Sequence, residues 1–142
     1  MQRILLLLHP FIVINLFEFQ VKGIPPNEAR IIYCANNFWG RTLAAISSST
    51  DPDSYNGFGP YMPGYDIVPY NDLEALEEKL KNPNTAAFMV EPIQGEAGVV
   101  VPDSGYLAKV RELCTKYQVW FFLGDFLIIL AFVCKKDQKN IF

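Results

Sequence analysis

Two short blocks carry residue types suited to holding a flat, anionic ligand. Asn37-Phe38-Trp39-Gly40-Arg41-Thr42 sets an aromatic ring three residues from a guanidinium. An aromatic face suits a planar ring, and a guanidinium fork suits a carboxylate. Glu91-Pro92-Ile93-Gln94-Gly95-Glu96 sets two carboxylates around a proline and a glycine, directly after an apolar run. Between the blocks lie Ser47-Ser48-Ser49-Thr50-Asp51-Pro52 and Gly57-Phe58-Gly59-Pro60-Tyr61-Met62-Pro63-Gly64. Such polar, Gly- and Pro-rich stretches cost entropy to order unless a ligand or partner rewards it. Taken by type alone, Phe38 and Trp39 read as core residues, and Arg41 as a surface ion pair.

The elements that would position these blocks follow from pattern. Arg30 to Ala35 is a β-branched and aromatic run and reads as a buried strand. Leu43 to Ile46 reads as a short helical stretch, Ser47 to Gly64 as a polar loop, and Tyr65 to Tyr70 as a weak strand. Asn71 is the expected N-cap of a helix, with Glu74 as the return half of a capping box. Leu73, Leu76 and Leu80 give that helix one apolar face, charged residues cover the remainder, and Pro83 ends it. Ala86 to Val90 is apolar on both faces, as in a parallel strand with helices on either side, and delivers Glu91 at its carboxyl end. A loop through Gly95, Gly98, Pro102 and Gly105 leads to a helix striped by Leu107, Val110, Leu113, Cys114 and Tyr117, and Val119 to Leu123 is the next strand. This βαβ spacing argues for an α/β sheet with ligands outside the carboxyl ends of its strands, where both blocks fall.

A chain of 142 residues suffices for one core, and its net charge of −3, without a basic cluster, argues against nucleic acid. Cys34, Cys114 and Cys134 are odd in number and far apart, as buried thiols in a reducing compartment would be. No metal site is expected, and the single histidine, His9, has nothing nearby to orient it. Ile4 to Phe17 is apolar but interrupted by His9-Pro10 and Asn15, short for a membrane span and unlike a transit peptide.

With their surroundings these blocks resemble the class-III aminotransferases that use pyridoxal phosphate (PLP), and within them the ornithine aminotransferases. NFWGRT, SSSTDP, FGPYMPG, PYND, AAFMVEPIQGEAGVVVP and VRELC carry the likeness, from about residue 21 to about residue 119. The resemblance implies an α/β fold, a partial large domain of a fold-type-I PLP-dependent transferase, mostly parallel sheet with flanking helices. The boundaries expected are an apolar segment unlike the family over 1–20, the partial large domain over 21–123, and an apolar, then basic, tail over 124–142. It implies PLP-dependent transfer of the δ-amino group of ornithine to 2-oxoglutarate in a dimer-based homo-oligomer, resident in the mitochondrial matrix or the cytoplasm.

By the same resemblance Phe38 stacks on the PLP ring, Arg41 grips the substrate α-carboxylate, and Glu96 engages a mobile arginine. Glu91 supports the cofactor pocket. The family's carboxylate for the pyridine nitrogen would fall, without a gap, at Gly124, and Asp125 comes one residue later. A one-residue slip turns a strand side chain to the opposite face, so Asp125 can take that role if a bulge restores the register. The family's glycine-rich phosphate turn has no counterpart here, and the lysine that anchors PLP covalently is expected downstream, so no catalytic residue is assigned. The chain is therefore expected to be inactive by itself. The alternative is a non-catalytic fragment that associates with full-length subunits; membrane association of the apolar ends is the weaker idea.

Overall fold

A computed structural model describes residues 22–96, 98–125 and 128–132. The expected N-terminal segment 1–20, with His9, and the tail from 133, with Cys134, lie outside the described residues.

The elements in order are β1 (Arg30–Cys34), α1 (Leu43–Ser47), α2 (Pro52–Tyr55), β2 (Tyr65–Val68), α3 (Leu73–Leu80), β3 (Thr85–Val90), α4 (Tyr106–Lys116), β4 (Trp120–Asp125) and β5 (Ile128–Phe132). They form one sheet in the order β2-β1-β3-β4-β5. The first three pairings are parallel, and β5 joins β4 antiparallel, so the sheet is mostly parallel as expected. β1 and β3 are interior strands and bury almost every residue, which explains their near-continuous apolar sequences. β2 lies at an edge and is only partly covered, which fits its weaker pattern.

Alternate residues of each strand feed two cores. On one face Ile32, Cys34, Val68, Phe88, Val90, Phe121 and Leu123 pack with Leu76 and Leu80 of α3 and with Val110 and Cys114 of α4. On the other, Ile31, Tyr33, Ala87, Met89 and Phe122 form a second cluster, with Trp39 stacked on Tyr33 at 5.4 Å between ring centroids. Cys34 and Cys114 are both buried in the first of these cores.

Two local expectations change. The N-cap of α3 is Asp72, not Asn71: its carboxylate accepts from the Ala75 amide at 2.8 Å. Asn71 sits at a left-handed φ of 68°, outside the extended geometry of a cap and tolerated because its short amide suits that region. Within the stretch read as a loop from Ser47 to Gly64, Asp51 caps one helical turn, α2, with Pro52 at its start.

Candidate functional site

Strand order reverses beside β1. The connection leaving β1 leads to β2 on one side, whereas β3 and β4 follow on the other. The carboxyl ends of β1 and β3 therefore flank a switch point, the place where α/β sheets open a ligand crevice. Asn37-Phe38-Trp39 leaves β1 there, and Glu91 leaves β3.

The two blocks meet directly. The Phe38 amide donates to Glu91 Oε2 at 3.2 Å, although 53 residues separate them. Glu91 is buried, so its carboxylate gains a donor at a place where losing a partner would cost about 1–3 kcal/mol. Phe38 itself keeps partial exposure. Gln94, almost fully buried, donates from Nε2 to the Ala35 carbonyl at 2.7 Å, and its backbone exchanges two 3.0 Å bonds with Val100. The loop after β3 is thus pinned to the end of β1 by a residue that composition alone does not single out.

On the β1 side Asn37 acts as a strut. Its Nδ2 donates to the Cys34 carbonyl at 2.8 Å and to the Ser48 carbonyl at 2.7 Å. Turning the amide over would face an oxygen toward two carbonyls, which fixes the donor assignment. Among the described residues Asn37 Oδ1 is then a buried acceptor without a hydrogen-bond partner. Trp39 Nε1 donates to Ser48 Oγ at 2.8 Å, which ties the same loop to the end of α1. Arg41 stands exposed one residue before Thr42, the N-cap of α1. The Asp51 carboxyl is held below its ordinary value, first by the Ser54 hydroxyl, with the Arg41 charge a minor contribution. Glu96 is exposed at the turn beyond Gln94.

β4 pairs with β3 from Trp120 to Leu123 and with β5 as far as Asp125, both in continuous register. Position 124 faces Met89: a Cβ there would lie 2.6 Å from Met89 Cε. The structure therefore brings Phe38 and Glu91 together, sets Arg41 and Glu96 on exposed parts of the same two loops, and ends β4 at Asp125. The described lysines have other surroundings: Lys22 donates to the Thr85 carbonyl, Lys79 to Asp66, Lys81 to Glu78 and Lys116 to Glu77, and Lys109 lies on α4. Among the described residues no cluster of metal ligands occurs, and no helix is long and apolar enough to cross a membrane.

Tyr70 lies in the PYND stretch that carries the likeness, but its residue type alone does not mark it for the site. Its hydroxyl donates to the Glu91 carbonyl at 2.7 Å and lies 3.2 Å from the Pro92 carbonyl, and burial pushes its pKa up to about 12. Burial pushes the Cys34 thiol up to about 12 as well, so both remain protonated at neutral pH.

The family model described as Aminotransferase class-III matches residues 14–125. Ornithine aminotransferase of Rattus norvegicus, a mitochondrial protein, is 63% identical over 113 residues, 80% of this chain and 26% of that protein. The mitochondrial ornithine aminotransferase of Drosophila melanogaster is 68% identical over 98 residues, 69% of this chain and 23% of that protein. Among solved structures, an ornithine aminotransferase of Toxoplasma gondii, with PLP at partial occupancy in its active site, superposes with a TM-score of 0.76 at 52% identity. That match covers 78% of this chain and 26% of that one. The chain spans about a quarter of the length of the relatives it matches.

Proposed function

Because the chain belongs to the class-III aminotransferase family, we propose that it forms part of a PLP site that transfers the δ-amino group of ornithine to 2-oxoglutarate. The observation that supports this reading most is the contact of the Phe38 amide with Glu91 across the switch point. It holds the base of an aromatic side chain at the crevice, where a flat heteroaromatic ring could lie. The buried, unpartnered Asn37 Oδ1 beside it offers an acceptor for a donor from outside the described residues. These features fit PLP. When bound, PLP supplies an electron sink for the carbon that loses a proton.

In this reading Phe38 is the ring platform and Glu91 fixes its backbone. Arg41 binds the substrate α-carboxylate, and Glu96 holds a second arginine aside while the other substrate is bound. In this reading none of the described lysines is the covalent anchor for PLP, and the 142-residue polypeptide by itself would not turn over. The exposed apolar residues Ile93, Val99 and Val101 favour a further reading, association of the chain with full-length subunits of a dimer-based enzyme. Residence in the mitochondrial matrix or the cytoplasm is proposed on the same likeness.

One experiment addresses these points. In a Trp120→Phe background, PLP should quench the fluorescence of Trp39, the neighbour of Phe38, and Phe38→Ala should remove the quenching. Equal quenching in both would end the platform assignment. Ornithine and 2-oxoglutarate should give no glutamate semialdehyde with the chain alone, and product would end the inertness claim. Added full-length enzyme should co-elute with the chain on size exclusion, and separate peaks would end the association reading.

A further inference from the structure

β2 and β3 do not touch, because β1 lies between them. Yet the two residues after the β2–Pro69 segment reach across the end of β1 and hold both ends of the loop that follows β3. The Tyr70 hydroxyl donates to the Glu91 carbonyl at 2.7 Å, at the start of that loop. Asn71 Oδ1 accepts from the Asp103 amide at 3.1 Å, near its end. The left-handed φ of 68° at Asn71 belongs to this turn. The Tyr70 ring in turn rests on Tyr106 at 5.5 Å, and Tyr106 belongs to the core shared by α3 and α4.

We propose that Tyr70 and Asn71 are positioning residues, a strap that fixes the 91–103 loop at both ends and so sets where the Glu91 carboxylate meets the Phe38 amide. Tyr70 holds the Glu91 backbone, and Phe38 and Gln94 hold the loop from the β1 side. Without the Tyr70 hydroxyl the Glu91 and Pro92 carbonyls lose this donor, and the strand end can shift relative to β1. The bearing of the strap on PLP rests on the function proposed above; its existence does not.

The test is residue-resolved amide hydrogen exchange on the full 142-residue chain. Tyr70→Phe removes one hydroxyl and should speed exchange at the Phe38, Gln94 and Val100 amides about five- to tenfold, as expected for one net hydrogen bond. Ile32 and Phe88, in the strand cores, should keep their rates. Asn71→Ala should speed exchange at Asp103, and Asn71→Asp, which keeps the acceptor, should restore it. Unchanged exchange at Phe38 in Tyr70→Phe would overturn the strap, and so would equal acceleration at Ile32 and Phe88. PLP titration of the same variant should show weaker quenching of Trp39. Absent quenching in the unmodified chain, with the exchange response intact, would keep the strap and sink the proposed function.

Discussion

Strands β3 and β4 lie side by side and reach the same edge of the sheet, but they end differently. Through their middles they are near equivalents: Phe88 pairs in register with Phe121, and the rings stack at 6.3 Å with planes 6° apart. Beyond Val90, β3 delivers Glu91, whose side chain takes the Phe38 amide and whose carbonyl takes the Tyr70 hydroxyl. Beyond Leu123, β4 delivers Gly124 against Met89, then Asp125, and pairs antiparallel with β5. Equal packing with unequal ends shows that burial decides where a strand runs, while a few polar side chains decide whether its end can serve a site.

The strongest way to break this comparison is to unbalance the strand cores. Phe88→Ala and Phe121→Ala each remove a fully buried ring and should each cost about 3–5 kcal/mol in urea unfolding. Their costs should agree within about 1 kcal/mol, since each ring has the other as its stacked neighbour. A much smaller loss for Phe121 would make β4 peripheral, and the unequal ends would then follow from unequal strands.

A smaller effect separates both strand ends from the far side of the sheet. Asp66 on β2 accepts from Arg30 at 2.6 Å and from Lys79 at 3.3 Å. The Arg30 hydrogen bond, aided by Lys79, holds its carboxyl below the ordinary value of 3.8. A depressed folded pKa adds stability that is complete above the unfolded value and is lost as pH falls through the folded one. Stability should therefore drop below about pH 4, and Asp66→Asn should remove that part of the acid dependence while costing about 1–2 kcal/mol at pH 7. Because Arg30 is one-third exposed, salt should trim the effect. Chemical-denaturant midpoints from about pH 3 to about pH 7 measure both. An unchanged acid limb in Asp66→Asn would place the acid sensitivity at the other carboxylates held low, Asp51 and Glu77.

What the sequence disclosed follows the same division. The apolar runs from Arg30 and from Ala86 read as buried strands because burial on both faces leaves no room for alternation. Phe38 and Glu91 could be selected by type and by family likeness, and they do meet. Tyr70 could not: its partner lies 21 residues away, and the contact exists only because the sheet order sets β1 between β2 and β3. Asn71 and Asp72 are both good caps by composition, and only the turn that carries Asn71 to Asp103 decides between them. The apolar stretch after Leu123 gives no periodic signal that distinguishes a returning strand from a tail.

The smallest effect probes the β4 end itself. Gly124 has no positive φ, so alanine fits its backbone, and the obstacle is the Met89 methyl, 2.6 Å from the added Cβ. That methyl ends a flexible side chain and can swing aside, so Gly124→Ala should cost about 1 kcal/mol or less, part of it offset by a stiffer unfolded chain. The informative measurement is the double-mutant cycle with Met89→Ala. Truncating the largely buried Met89 opens space beside position 124, and the methyl added by Gly124→Ala then fills part of it. The substitution should turn from mildly destabilising to neutral or stabilising in that background, a coupling larger than the roughly 0.3–0.5 kcal/mol expected of independent sites. Additive costs would mean that Met89 does not occupy the place of the missing side chain. The bare end of β4 would then be set by its pairing with β5, not by packing from β3.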